Sequence, residues 1–286
     1  MTVPKIRIMK EADFDFALRL THGEGWGNIR SDFERFLAYE PEGCFIAEDT
    51  SEPMGTVTTI TYGPVGWIGC LIVASGKRGC GTGTALMKQA VSYLQRKGVE
   101  VIRLDADPPG MPLYRRFGFV EEGRSLRFQG VGREHDLGDG VESMESSHLG
   151  KVCDLDARAF GADRSRVLRR LLKDFPEFCF VAHIEGSVTG YIMGRRRAAG
   201  GWIGPWVCQP HASHKSSAES LLRAGLSAFC DQPVEIGFLK GNPFELSLLK
   251  RYGFQERPGS VRMRLGPDRY HGESENIFGM VASSKG

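Results

Sequence analysis

The strongest chemical signal in the chain is one short run, Arg78-Gly79-Cys80-Gly81-Thr82-Gly83-Thr84, set between a β-branched stretch and a helix-forming one. Glycine lets backbone approach a ligand closely, and a helix N-terminus offers unpaired N–H groups and positive partial charge. That combination suits a pyrophosphate. No Gly-Lys-Ser/Thr follows, which excludes a P-loop. A dinucleotide fold would want an acidic residue closing the next strand, and Asp105 stands near that distance, so the loop alone leaves that alternative open. The cysteines, Cys44, Cys70, Cys80, Cys153, Cys179, Cys208 and Cys230, form no C-x-x-C pair. With no His/Cys cluster at ligand spacing, no metal site is expected. Their odd number, several inside apolar runs, fits small buried hydrophobes in a reducing compartment.

The elements that position this loop come from an internal repeat. Cys44-Phe45-Ile46-Ala47 returns as Cys179-Phe180-Val181-Ala182, Gly66-Trp67-Ile68-Gly69 as Gly201-Trp202-Ile203-Gly204, and Arg116-Phe117-Gly118-Phe119 as Arg251-Tyr252-Gly253-Phe254, each 135 positions on. An ordered set at one offset means two copies of one fold. Copy one covers residues 1–133, a polar and acidic linker 134–147, and copy two with a C-terminal tail 148–286. In copy one, 14–21 and 31–39 pattern as helices, and Cys44–Glu48, Met54–Tyr62 and Trp67–Val73 as strands. Apolar residues at helical spacing mark Gly83–Lys97, which Gly98 ends. A strand Val99–Leu104, a short helix Pro112–Phe117 and a strand from Phe119 follow. This is an α/β unit with a mixed sheet, built twice. The tail stretch Glu275–Ala282 is too short for its pattern to tell whether it adds a strand.

Residues 71–86, LIVASGKRGCGTGTAL, resemble the acetyl-CoA-binding signature of the GNAT acetyltransferase superfamily: a strand ending in Val, then Arg-x-x-Gly-x-Gly opening a helix, here Arg78, Gly81 and Gly83. Residues 112–119, PLYRRFGF, resemble the later motif of the same superfamily. The sequence departs from the usual pattern at Ser75, where Pro is common, and at Asp107, where Asn is common. The resemblance implies acetyl-CoA as co-substrate, with backbone N–H groups of Gly79, Cys80, Gly81, Thr82, Gly83 and Thr84 on its pyrophosphate. It also implies that Leu71, Ile72 and Val73 pair with the pantetheine arm. An acceptor amine would attack the thioester directly, with Tyr114 protonating the leaving thiolate; a phenol near pKa ~10 suits that task. Glu24, in His22-Gly23-Glu24-Gly25-Trp26-Gly27, is the first choice for general base. Trp26 beside it would pack against the acceptor. His22 ranks below Glu24, and Asp32 reads as a helix N-terminal residue.

Copy two serves as an internal control. At the matching positions Arg78 becomes Ser213, Gly81 becomes Ser216, Gly83 becomes Ala218, Tyr114 becomes Leu249 and Glu24 becomes Ala159. The scaffold persists while every position given a chemical role has changed. Copy two is expected to support the acceptor site, with Tyr191 and Trp206, the latter replacing Leu71, as substrate-binding candidates. The chain is similar to tandem-GNAT enzymes with an active N-terminal copy.

Composition narrows the acceptor. The 286 residues are 41% hydrophobic and 25% charged, ordinary globular values. The net charge of +2, from 37 basic and 35 acidic side chains, argues against nucleic-acid or polybasic membrane partners. The N-terminus patterns as neither signal nor transit peptide, so a cytoplasmic location is expected. The expected activity is N-acetylation of a primary amine on an amino sugar, amino acid, polyamine or amine-bearing antibiotic, by a monomer or homodimer. Alternatives are a protein N-terminal or lysine acetyltransferase and a non-catalytic acetyl-CoA sensor.

Overall fold

The computed structural model describes residues 4–50, 52–138, 140–209, 214–240 and 243–286, without the side chains of 214–215 and 243–245. The chain forms two compact units. The first holds Met1–Glu122, Val261–Arg269 and Ser284–Gly286, and the second Gly123–Ser260 and Tyr270–Ser283.

Unit one begins with β1 (Lys5–Ile8), α1 (Phe14–Gly23), α2 (Arg30–Tyr39), β2 (Phe45–Asp49), β3 (Glu52–Tyr62) and β4 (Val65–Val73). It continues with α3 (Thr82–Arg96), β5 (Val101–Ala106) and α4 (Met111–Arg116). Strands β1 to β4 are successive antiparallel neighbours, and β5 lies parallel to β4. Leu86, Met87, Ala90 and Leu94 recur at helical spacing, so α3 presents one apolar face. That face packs on Phe45, Val57, Ile68 and Ile102. Gly98, at φ +79, takes the left-handed turn that stops the helix.

After α4 the chain enters β6 (Val120–Val131), then β7 (Val141–Ser143), α5 (Leu149–Phe160), α6 (Ser165–Asp174), β8 (Cys179–Ile184), β9 (Ser187–Arg196) and β10 (Gly201–Cys208). Next come α7 (His214–Ala228), β11 (Pro233–Leu239), α8 (Pro243–Arg251), β12 (Gln255–Leu265) and β13 (Ile277–Gly279). The repeat is visible in the register. Ile6 pairs with Ala47 in unit one and Val141 with Ala182 in unit two, each residue displaced by the repeat offset. A Cβ on Gly55 would meet Leu86, and one on Gly190 would meet the matching Leu221.

Two boundaries differ from the sequence reading. The segment 134–147, taken as linker, contains β7, the counterpart of β1. The end of copy one, set at 133, falls inside unit two, because β6 pairs with β11 over Ser125–Val131. In turn Val261–Leu265 of β12 pairs with β5. Each unit is thus completed by a strand that follows the other copy's last helix. Burial periodicity tells which face of a strand is covered, and it carries no label for the sheet that strand joins. Among the described residues, no helix is long and apolar enough to cross a membrane.

Candidate active site

In unit one β4 and β5 pair only over Val65–Trp67. Beyond Trp67, β4 continues to Val73 with no ladder to β5, so its edge toward β5 opens just before the glycine loop. On its other edge, Thr58 pairs with Gly69 and Thr56 with Ile72. Val57 therefore faces both Cys70 and Leu71, a bulge with Cys70 at φ +47. A bulge interrupts the ladder and re-aims backbone groups.

The loop itself has the form of an anion cradle. Gly79 and Gly81 sit at φ +78 and +82, and a Cβ on either would point into open space. Gly81 caps α3. Ala85 N–H donates to its carbonyl at 3.0 Å, so the N–H groups of Thr82, Gly83 and Thr84 precede the first intrahelical bond. Side chains at Gly79 or Gly81 would need a left-handed backbone that L-residues disfavour. The fit to a pyrophosphate is good: bare backbone, free donors and a positive helix end together.

Arg78 Nε donates to the Val73 carbonyl at 2.9 Å, and its Nη2 donates to Glu24 Oε1 at 2.5 Å. The two residues that the sequence assigned to separate tasks are partners, and both are substantially exposed. The loop bearing Glu24 is braced by Trp26 N–H on the Thr21 carbonyl and by a 2.7 Å contact of His22 Nε2 with the Asn28 carbonyl. Trp26 is half-buried. Asp32 accepts from Ile29 N–H at 3.1 Å at the start of α2, as its sequence position suggested.

Tyr114 projects from α4 into the α3-facing core, 6.2 Å from Phe119 between ring centroids. A Cβ on Gly110 would lie 2.9 Å from its ring, so glycine makes room for it. Burial, and secondarily the charge of Asp107, push the phenol well above the ordinary tyrosine range. Such a group is un-ionised near neutral pH.

Among its described residues, unit two lacks these features. Its loop positions are absorbed into α7, whose start at His214 corresponds to Gly79, so the first turn of a helix replaces the glycine cradle. Ser213 lies outside the described residues. Pro205, with no N–H, stands where unit one has Cys70 in the bulge. The edge of β10 is filled: β13 pairs antiparallel with it, Gly279 opposite Trp206 and Ile277 opposite Val207, at the positions matching Leu71 and Ile72. Ala159 is buried in α5 and Leu249 in α8.

This corrects two substrate-binding assignments. Trp206 is 0% exposed and packs on Phe278 at 5.1 Å. Tyr191 is also 0% exposed, and its hydroxyl donates to Asp156, which is ion-paired with Arg164. Both are core residues of unit two. Their aromatic character was read as ligand surface, and only the closure by β13 and the buried Asp156–Arg164 pair reveals the difference. Sequence reasoning also passed over the bulge at Cys70 and the buried Lys285. A run of β-branched residues gives no sign of the former, and a lysine near a chain end reads as solvated.

Among the described residues Glu142, His148 and His183 bring ligand atoms together. His148 Nδ1 accepts from Glu145 N–H at 3.0 Å, so its Nε2 carries the proton and faces Glu142 as a donor. That tautomer does not suit metal ligation.

Residues 12–119 match the Acetyltransferase (GNAT) family, and residues 152–279 match an Acetyltransferase (GNAT) domain family. The chain is 27% identical over 269 residues to the holothin acyltransferase of Pseudoalteromonas sp., covering 92% of this chain and 88% of that one. A putative acetyltransferase from Pyrococcus horikoshii superposes with TM-score 0.86 at 27% identity, over 100% of this chain and 97% of that one. A tandem GNAT protein of the clavulanic acid biosynthesis pathway shares the fold, with TM-score 0.66 at 14% identity, over 93% and 100% of the two chains.

Proposed function

Since the chain belongs to the GNAT acetyltransferases and carries two GNAT domains, we propose that its first unit transfers an acetyl group from acetyl-CoA to the primary amine of a small molecule. The observation that carries this reading is the open cradle at Gly79 and Gly81 beside an unpaired β4 edge, neither of which has a counterpart among the described residues of unit two. Acetyl-CoA, when bound, supplies an activated acetyl thioester. Backbone N–H groups of residues 79–84 would hold the pyrophosphate. Leu71, Ile72 and Val73 would offer their strand edge to the pantetheine arm, beside the bulge at Cys70 and Leu71. Tyr114 keeps a proton for the leaving thiolate. Arg78, tied to Val73 and Glu24, fixes the loop against the strand end.

The acceptor class rests on charge balance and on the kind of relative found. One relative is a holothin acyltransferase, which supports a small organic acceptor and puts longer acyl donors into the test. The experiment is release of free coenzyme A against a panel of primary amines, run with acetyl- and hexanoyl-CoA. Turnover with a small amine supports the reading. Activity confined to peptide substrates, or none on any amine despite acetyl-CoA binding, overturns it.

A further inference from the structure

Successive β4 residues point to opposite faces. A Cβ on Gly66 would meet Leu94 of α3, and Ile68 belongs to the α3-facing core. Gly69 faces the other way, and what it meets is the end of the chain: a Cβ there would lie 2.6 Å from Ser284 Cβ and 2.7 Å from its carbonyl oxygen. The next residue is deeply seated. Lys285 is 2% exposed, its carbonyl accepts from the Tyr62 hydroxyl at 2.7 Å, and its Nζ lies 3.5 Å from Asp32 Oδ1 and 4.2 Å from the Phe36 ring centre. Asp32 is itself fully buried and accepts from Arg35 at 2.9 Å. Removing one partner of a buried pair leaves a charge without compensation, so the lysine is held firmly.

The position matters because of where attack must come from. Tyr114, the proton donor to the thiolate, lies on the α3 face of the sheet. A nucleophile adds to a planar carbonyl from above or below its plane. The α3 side of the sheet is filled by the packed core that holds Tyr114, so the approach left to the amine is over the face that Gly69 presents, next to the bulge at Cys70 and Leu71, and Ser284 already stands against that face.

We infer that Ser284–Gly286 form the inner wall of the acceptor site in unit one, with Lys285 as its anchor, and that this wall confines the acceptor to a compact primary amine and keeps water from the thioester. The inference rests on the acetyl-transfer reading above. It makes Ser284 a specificity-determining residue and Lys285 a positioning residue. The side reaction that the wall prevents is hydrolysis: water adds to the acetyl carbonyl, the C–S bond breaks, and acetate and the free thiol of coenzyme A leave.

The test compares the full chain with one ending at Ser283, using acetyl-CoA alone as probe. Calorimetry on the full chain comes first; absence of binding there defeats the acetyl-transfer reading, and the wall falls with it. Given binding, truncation should leave acetyl-CoA affinity within about twofold and raise acceptor-free thiol release about tenfold, since an opened site admits water. A second variant, Ser284→Cys in the full chain, covers the case in which truncation prevents folding. N-ethylmaleimide labelling at position 284, followed by peptide mass, should slow at least about fivefold under saturating acetyl-CoA, as expected when a bound ligand excludes the reagent, while Cys230 labels at an unchanged rate. Equal labelling with and without acetyl-CoA overturns the wall. So does a folded, acetyl-CoA-binding truncation that hydrolyses at the wild-type rate.

Discussion

Arg78 and Glu24 form one ion pair, Nη2 to Oε1 at 2.5 Å, with the same guanidinium also bonded to the Val73 carbonyl. A carboxylate occupied in this way is better placed to steady a loop than to collect a proton. Magnitude separates the two roles. An exposed ion pair contributes about 0–1 kcal/mol, or up to about fivefold in a binding constant. A general base contributes about 10²–10⁴-fold. Glu24→Gln is expected to raise the acetyl-CoA KM a few-fold with kcat nearly unchanged. Full pH profiles check this: loss of the acidic limb with a hundredfold fall in kcat would return the base role to Glu24.

Tyr114 is proposed as the proton donor, and its phenol is un-ionised near neutral pH. Its proton is held above the ordinary tyrosine pKa of about 10 by burial first and by Asp107 second. A raised pKa means the acid form persists to higher pH, so Tyr114 contributes no fall in activity below about pH 10. Tyr114→Phe should lower kcat about 10²–10⁴-fold with acetyl-CoA affinity retained. Asp107→Asn removes the smaller of the two causes and should shift any basic limb downward. Unchanged turnover in Tyr114→Phe would reduce Tyr114 to a packing residue.

The parts of this molecule that were legible in the sequence are those whose signal is local. The glycine loop, the α3 stripe and the repeat offset each depend on neighbours within a turn or on direct similarity, and the structure places them within a residue or two. What stayed hidden depends on pairing partners far away in the chain. Val120–Val131 reads as a strand of copy one, yet most of it builds unit two. Ile277–Gly279 is only a three-residue strand, but it decides whether Trp206 is surface or core. Lys285 reads as a solvated tail residue until Asp32, Phe36 and Tyr62 surround it.

Trp206 gives a sharp test of that correction. If it were an acceptor surface, its removal would raise the acceptor KM and spare the fold. Fully buried beside Phe278, it should instead behave as a core aromatic, for which truncation to alanine costs about 3–5 kcal/mol. Thermal denaturation of Trp206→Ala should show a large loss of stability in unit two, and the acceptor KM of the protein that remains folded should stay near wild type. A stable variant with a tenfold higher acceptor KM would restore the original assignment.

One coenzyme A per chain is the final expectation, and it follows from two independent losses in unit two. The pyrophosphate cradle is gone because the positions matching Gly79–Gly81 lie in the first turn of α7. The pantetheine edge is gone because β13 already pairs with Trp206 and Val207. Either loss alone would weaken a second site, and together they remove both halves of it. In unit one the same reasoning runs forward. Gly81 lies at φ +82 with open space beyond it, so any side chain strains the backbone and enters the cradle. An aspartate there adds a negative charge where the phosphates must sit. Calorimetry with acetyl-CoA should give a stoichiometry near one for the wild-type chain and no measurable binding for Gly81→Asp. Two equivalent sites, or binding that survives in Gly81→Asp, would mean that the glycine loop is not where the cofactor is held.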